Sequence, residues 1–281
     1  MATKENNEEK MKITIAGYGA VGQAHEQLLG SFVDVEIYDP YKGHKSFSSD
    51  TDAVIICTAT PSFENGACSV NSVYECIEKS PDVPILIKST ISLEGWETII
   101  DAFPQKEITF SPEFLRNATS VEDLLNTKDL FLGGGNTEFW QKVFATTLGS
   151  GTSFMLADPR QLILIKYFRN SFLANKVAFF NQIYDLCKAV GIDYEAVAKG
   201  VGADTRIGAS HTEVTGERGF GGHCFPKDIK AIIHSAQQEN VDLSLLKETL
   251  EYNEKVRRNV TTEIVDAMKS ICPEAWNENR D

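Results

Sequence analysis

Short apolar runs alternate with amphipathic stretches along the first half of the chain. Short runs typical of β-strands predict six strands, namely KITIAG, VEIYD, AVIICTA, PILIKST, EITFSPEF and DLFLGG. Runs that are apolar on both faces indicate a parallel sheet covered by helices, which residues 22–29, 70–79 and 95–103 can supply. We therefore predict a doubly wound, Rossmann-type α/β domain over residues 12–152, preceded by a disordered tail over residues 1–11.

The pattern changes after Met155. Asp158 and Pro159 form a helix-start signal, and the next glycine is Gly191. Apolar residues recur between them at spacings of three to five, which predicts one long packed helix. Shorter helices are predicted over residues 194–199, 228–238 and 243–268. The second half is therefore predicted to be a helical domain, residues 153–281, built around one long central helix.

Composition and charge narrow the classes of function. The chain has 281 residues, 42% hydrophobic and 24% charged, as ordinary globular proteins have. A formal net charge of -13 argues against a nucleic-acid partner. No window approaches the roughly 18 apolar residues of a membrane span, and the N-terminus lacks the apolar core of a signal peptide. We expect a cytoplasmic protein with no membrane partner and with reduced cysteines.

A glycine pattern predicts a dinucleotide site. Gly17, Gly19 and Gly22 form GxGxxG directly after the first predicted strand, and Asp39 closes the second. The glycines let a pyrophosphate approach a helix N-terminus, with Val21 under the cofactor. Because a carboxylate accepts hydrogen bonds from the adenosine ribose and repels a 2′-phosphate, NAD is favoured over NADP. The alternative is a glycine-rich turn that binds nothing.

The segment GFGGHCFPKD, residues 219–228, is the densest in chemical groups. It predicts a flexible loop that carries Cys224 immediately before a helix opened by Pro226. A thiol at a helix N-terminus and beside Lys227 is favoured as a nucleophilic thiolate, although an inert thiol is the alternative. His223 is not expected to act as its base, because neighbouring side chains usually point apart.

The remaining polar candidates are less specific. The histidines show no metal-ligand spacing, so we expect no metal site and surface or loop positions for His25, His44, His211, His223 and His234. Lys166 and Asn170 are four residues apart and share one face of the long helix among apolar neighbours. They are either functional groups or a lysine that extends to solvent beside a solvated asparagine.

Taken together, six motifs resemble the UDP-glucose/GDP-mannose dehydrogenase family over about residues 12–258, namely GYGAVG, IKST, SPEFLR, KYFRN, TRIG and GFGGHCFPKD. The resemblance implies oxidation of the C6 alcohol of a nucleotide sugar, through an aldehyde, to a carboxylate with two NAD and one water. UDP-glucose is the expected substrate. Cys224 is implied as the nucleophile that forms a thiohemiacetal and then a thioester.

The resemblance also implies a role for individual residues. Lys166 and Asn170 match a pair that stabilises charge on the sugar oxygen and orders the substrate, and Asp228 matches an acid that holds a water. Thr90 and Glu113 match residues that position and deprotonate the hydrolytic water. Further matches to substrate contacts are Phe114, Leu115, Arg116, Arg206 and Gly221. Further matches to cofactor contacts are Thr60, Thr90 and Lys227.

The same resemblance implies a homodimer through the central helix, with Arg206 presented across the interface. Family members continue into a further α/β domain, which this chain is expected to lack, so a partner supplies that domain or the substrate differs. Asn117 and Ala118 stand where the family usually has an acid and a small residue. Two alternatives remain, a two-electron β-hydroxyacid-type dehydrogenase and a non-catalytic truncated paralogue that binds NAD and regulates a complete enzyme.

Overall fold

The structure of the protein is a computed structural model, and it describes residues 10–222 and 224–271. Residues 1–9 of the predicted tail, His223 and Cys272 lie outside the described residues. The chain divides into two compact units, the first ending at Lys166 and the second beginning at Tyr167. This division falls inside the long helix, and the domain boundary after residue 152 stays a prediction. The two units are described one by one.

A seven-stranded sheet forms the first unit. Its strands are β1 (Lys12–Ala16), β2 (Asp34–Tyr38), β3 (Ala53–Ile56), β4 (Ile85–Ile87), β5 (Ile108–Phe110), β6 (Asp129–Gly134) and β7 (Ser153–Leu156). They lie in the order β2-β1-β3-β4-β5-β6-β7. The order reverses between β1 and β3, which is the switch point where open α/β sheets bind ligands. Each of the six predicted runs contains a strand, and the predicted α/β class is confirmed.

One pairing differs from the predicted parallel sheet, because β6 runs antiparallel to β5. A parallel connection needs a crossover, usually a helix that packs back on the sheet. The connection here instead packs its short helix against the helix that follows β1. Gly134 then pairs with Thr109 at a φ of 98°, where a side chain would meet the carbonyl of Ile108. The strand β7 was not predicted, since its four residues, SFML, include no β-branched residue and are mostly exposed.

Five helices flank the sheet of the first unit. They are α1 (Ala20–Leu29), α2 (Asn71–Lys79), α3 (Leu93–Ala102), α4 (Ser120–Leu125) and α5 (Thr137–Leu148). Ser92 and Asn136 cap α3 and α5 by accepting backbone N–H groups with their side chains. Fully buried Ile13, Ile55 and Trp140 belong to one apolar cluster under α1 and α5, which fixes the strand ends that carry the site.

The second unit is helical. Its helices are α6 (Pro159–Val190), whose first turns belong to the first unit, α7 (Tyr194–Gly202), α8 (Cys224–Gln238) and α9 (Ser244–Ile271). The predicted long helix is confirmed as α6. The start of α8 differs from the prediction, because the helix begins at Cys224 itself rather than after it. Pro226 is tolerated there, since the first turn of a helix needs no backbone donors. Among the described helices, none combines the length and apolar character that crossing a bilayer requires.

Candidate active site

The turn between β1 and α1 is tight on one side and open on the other. Gly17 has a φ of 95°, and a side chain there would lie 2.7 Å from the backbone of Cys57. A Cβ at Gly22 would lie 2.1 Å from the carbonyl oxygen of Gly17. Gly19 is exposed, and a Cβ there would meet nothing within 4 Å. The open side is therefore a cradle at a helix N-terminus, which suits a pyrophosphate.

Asp39 follows β2 directly, beside this turn. Its two carboxylate oxygens accept the N–H groups of Tyr18, at 2.9 Å, and of Tyr41, at 3.1 Å. Each oxygen keeps capacity for a further hydrogen bond, so a ribose diol fits the same carboxylate. Val21 is half-buried in the first turn of α1, as expected for a residue under the cofactor. These residues fit an adenine dinucleotide such as NAD.

Two threonines lie beyond the carboxyl ends of β3 and β4. The hydroxyl of buried Thr60 donates to the carbonyl of Thr90 over 2.6 Å, and Thr90 is half-buried. The hydroxyl of Ser89 donates to the carbonyl of Thr58 over 2.8 Å, which ties the two loops together a second time. The structure therefore brings Thr60 and Thr90 together at the sheet edge where ligands bind.

Glu113 follows β5 and is surrounded by groups that sequence reasoning missed. The ammonium of buried Lys88 lies 2.5 Å from its Oε1 atom and donates to the hydroxyl of Ser111 over 2.8 Å. The Nε2 atom of His25 lies 3.4 Å from the same Oε1. His25 is fully buried, so the surface or loop position expected for it was wrong. Its place on the inner face of α1, in register with Leu29, was the available signal.

Lys166 reaches into the first unit rather than into solvent. It is buried, its ammonium donates to the backbone carbonyl of Glu113, and it lies 5.4 Å from the Phe114 ring centre. Leu115 packs against the apolar cluster, while exposed Arg116 pairs with Asp123 at 2.6 Å. That guanidinium holds the pKa of the Asp123 carboxyl well below its usual range.

In the second unit, the acid predicted beside the cysteine is buried and compensated. Asp228 is 1% exposed, and its carboxylate accepts the side-chain amide of Asn170 at 2.6 Å and the ammonium of Lys227 at 2.7 Å. Cys224 is exposed at the first position of the same helix. The solvated asparagine considered from the sequence is not what the structure has, since Asn170 is buried and paired.

Two buried asparagines hold the glycine-rich loop before Cys224, and sequence reasoning missed both. Asn253 accepts the N–H of Phe220 at 2.7 Å and donates to its carbonyl at 2.9 Å. Asn181 accepts the N–H of Gly219 at 3.0 Å. A Cβ at Gly221 would lie 3.1 Å from the Arg257 guanidinium, so the loop backbone passes close to that side chain.

The predicted residues thus form one group in each unit. Arg206 stands apart, exposed and paired with Asp204 of the same chain at 2.6 Å. Within residues 10–222 and 224–271, no set of three or more histidine, cysteine and acidic side chains is placed to hold a metal ion.

The sheet order, the glycine turn and the aspartate after β2 define a Rossmann-type α/β fold. Residues 160–255 match the UDP-glucose/GDP-mannose dehydrogenase family, central domain. These residues are similar to the family's central domain, and the resemblance predicted from the motifs is confirmed.

Known proteins agree with this assignment. The chain is 36% identical to UDP-glucose 6-dehydrogenase of Rickettsia felis over 76% of this chain and 50% of the relative. It spans about half the length of the curated relatives it matches. A UDP-glucose dehydrogenase structure from Pyrobaculum islandicum superposes with a TM-score of 0.76 and 23% identity, covering 89% of this chain and 69% of that one.

The fold is also shared with another class of dehydrogenase. A 3-hydroxyisobutyrate dehydrogenase structure from Mycobacterium tuberculosis has a TM-score of 0.65 and 14% identity, covering 87% of this chain and 93% of that one. Fold alone therefore does not separate a nucleotide-sugar dehydrogenase from a β-hydroxyacid-type enzyme.

Proposed function

We propose that the protein catalyses the NAD-dependent, four-electron oxidation of the C6 alcohol of a nucleotide sugar, UDP-glucose in the first instance, to the carboxylate. The observation that carries the proposal is the buried hydrogen bond between Asn170 of α6 and Asp228 of α8, the helix that begins at Cys224. A β-hydroxyacid dehydrogenase has no step that uses a thiol. The match of residues 160–255 to the family's central domain supports the same reaction.

The cofactor half of the proposal concerns the first unit. NAD, when bound, accepts the hydride from the sugar carbon, and two NAD are consumed per sugar. The N–H groups at the start of α1 face the open side of Gly19, and they would bind the pyrophosphate. Asp39 would bind the adenosine ribose, with Val21 beneath the cofactor and Thr60, Thr90 and Lys227 as further contacts.

The proposed first oxidation uses the two polar residues of α6. The Lys166 ammonium and the Asn170 amide stabilise negative charge that develops on the C6 oxygen. Asp228 receives the alcohol proton through a water molecule, because it is the carboxylate in contact with Asn170. The product of this step is the aldehyde.

The proposed second oxidation is covalent. The Cys224 thiolate adds to the aldehyde carbon, and the thiohemiacetal becomes a thioester when its C–H electron pair leaves as hydride. Water held by Thr90 then attacks the thioester carbon while Glu113 takes its proton. The C–S bond breaks, which releases the carboxylic acid and restores the thiolate.

Substrate recognition and assembly complete the proposal. Phe114, Leu115, Arg116 and Gly221 are proposed to line the sugar, and Arg206 to reach a partner's substrate in a homodimer through α6. Exposed apolar residues at intervals of four and seven along α6 support such a dimer, namely Phe168, Phe172, Phe179 and Leu186. The cytoplasm is the proposed location.

The deciding experiment is to incubate the purified chain with NAD and UDP-glucose and count NADH per sugar consumed. Two NADH per sugar are expected, and Cys224→Ser should stop the reaction before the acid forms. One NADH per turnover, unaffected by Cys224→Ser, would establish the two-electron alternative. NAD binding with no turnover across a panel of nucleotide sugars would establish the non-catalytic paralogue.

A further inference from the structure

The side chain of His25, in the middle of α1, places a ring nitrogen close to Glu113. The Nδ1 atom of His25 lies 2.9 Å from the carbonyl oxygen of Val21. A carbonyl only accepts hydrogen bonds, so this contact assigns the ring proton to Nδ1. In the neutral ring Nε2 then carries a lone pair. Among the residues that the structure describes it has no hydrogen-bond partner, although it lies 3.4 Å from the Glu113 Oε1 atom.

The surroundings favour a neutral ring. Burial lowers the pKa of His25, the Glu113 carboxylate opposes this, and the Lys88 ammonium adds to it. The Cys57 thiol, which faces the same charges, has its pKa raised by burial and stays protonated. The group therefore combines the ion pair of Lys88 and Glu113 with an uncharged imidazole.

The Nε2 atom of His25 can form a hydrogen bond with Glu113 only when that acid is protonated. While Glu113 is ionised, its oxygen and the Nε2 lone pair are two acceptors facing each other. Once Glu113 has taken a proton, its O–H can donate to Nε2. A buried acceptor without a donor is costly, so protonation of Glu113 gains a hydrogen bond that the ionised state lacks.

We propose that His25 is a positioning residue for thioester hydrolysis, accepting a hydrogen bond from Glu113 after that residue has taken the proton of the attacking water. The proposal rests on the proposed function. In the step, the water O–H bond breaks, its proton goes to the Glu113 carboxylate, a C–O bond forms and the C–S bond breaks with the thiolate leaving. His25 itself neither gains nor loses a proton.

The first test needs no substrate. Nitrogen-15 NMR of the full chain at neutral pH reports which ring nitrogen of each histidine is protonated, and the His25→Gln spectrum identifies the His25 signals. We expect a neutral ring with its proton on Nδ1 and a bare Nε2. A proton on Nε2, in either the other tautomer or an imidazolium, would overturn the proposal, because Nε2 would then already donate to ionised Glu113.

The second test distinguishes loss of the hydrogen-bond acceptor at residue 25 from a general structural effect of the substitution. His25→Asn keeps a donor near Val21 but removes the acceptor, whereas His25→Gln restores an acceptor near the Nε2 position. With UDP-glucose and NAD, we expect His25→Asn to keep the burst of two NADH per site. Its thioester hydrolysis should slow about tenfold, as loss of one hydrogen bond predicts, so that the Cys224 thioester accumulates by mass spectrometry.

Controls make the outcomes distinct. His25→Gln should recover most of the hydrolysis rate, and Thr109→Val, a buried polar deletion on β5, should keep the wild-type rate. Equal hydrolysis rates in wild type and His25→Asn, or equally slow rates in the Asn and Gln variants, would contradict the role of His25. A wild-type chain that does not form two NADH per sugar consumed would instead contradict the proposed function, and the NMR result would still decide the protonation of His25.

Discussion

The side-chain amide of Asn170 donates to the carboxylate of Asp228 over 2.6 Å, and both residues are buried. Lys227 supplies the compensating charge from the adjacent position at 2.7 Å. A buried carboxylate needs both kinds of partner, since desolvation of an unpaired charge costs several kcal/mol. Asn170 and Lys227 therefore hold the Asp228 carboxylate four residues after Cys224 on the same helix, and α6 contributes a neutral partner.

Replacing Asn170 by Asp tests whether the buried Asp228 carboxylate depends on a neutral donor from α6. Two buried carboxylates would then face each other, and we expect a loss of roughly 3–5 kcal/mol in unfolding free energy at pH 8. The loss should shrink at pH 5, because one shared proton relieves the repulsion. Urea unfolding at both pH values measures it.

The matched control is Asn175→Asp on the same helix. Asn175 contacts the hydroxyl of Thr249 at 2.8 Å, and a hydroxyl can donate to the new carboxylate. We expect little change in its unfolding free energy. A pH-independent loss for the Asn170 variant, or equal losses for both, would argue against the compensated acid described above.

The glycine turn makes two opposite predictions. Gly22→Ala places a Cβ 2.1 Å from the carbonyl oxygen of Gly17, so we expect a loss of about 1–3 kcal/mol in stability together with loss of NAD binding. Gly19→Ala places its Cβ in open space, so stability should stay within about 0.5 kcal/mol. NAD binding should still weaken, since that Cβ occupies the pyrophosphate approach. Calorimetric titration and thermal unfolding of both variants distinguish the effects.

The cysteines differ in exposure, which predicts selective alkylation. Cys224 is exposed, whereas Cys68, Cys76 and Cys187 are buried, and burial raises the pKa of the Cys76 thiol to about 12. We expect iodoacetamide at neutral pH to label Cys224 before these thiols and to abolish turnover. Peptide mass mapping checks this, with Cys272→Ser as background because Cys272 lies outside the described residues. Slow labelling of Cys224 would contradict its proposed role as the nucleophile.

Much of this arrangement could be predicted from the sequence. Each of the strands β1–β6 lies within a short apolar run of the sequence, and α6 extends from Pro159 to the residue before Gly191, so the local pattern was sufficient. The antiparallel β6 could not be predicted, because strand direction depends on where the preceding connection packs. The partners of Glu113 were missed for the same reason. His25 and Lys88 reach it from α1 and β4, and only tertiary packing brings these elements together.

The exposed stripe on α6 predicts how the chain assembles. Phe172 and Phe179 are seven residues apart, and they are 69% and 54% exposed. If a second copy covers this face, the double substitution Phe172→Asp and Phe179→Asp should raise the dimer dissociation constant roughly thirtyfold or more, as loss of a binding hot spot does. Sedimentation velocity measures the change, and Tyr41→Asp, at a fully exposed aromatic residue away from α6, is the matched control. A monomeric wild type would exclude the proposed homodimer.

The buried imidazole predicts how stability depends on pH. Because burial lowers the pKa of His25 in the folded chain, the unfolded chain binds a proton at a higher pH, near 6.5, than the folded chain does. Stability from this residue is therefore fully present above about pH 6.5 and is lost as pH falls, by about 1.4 kcal/mol per pH unit until the folded pKa is reached. We expect the unfolding free energy of His25→Asn to decline less steeply than that of wild type between pH 6.5 and 5. Removing His44, which is exposed, should leave the wild-type slope unchanged. If the unfolding free energies of wild type and His25→Asn declined equally with pH, the ring would already be charged in the folded protein, with the Glu113 carboxylate as its counter-charge.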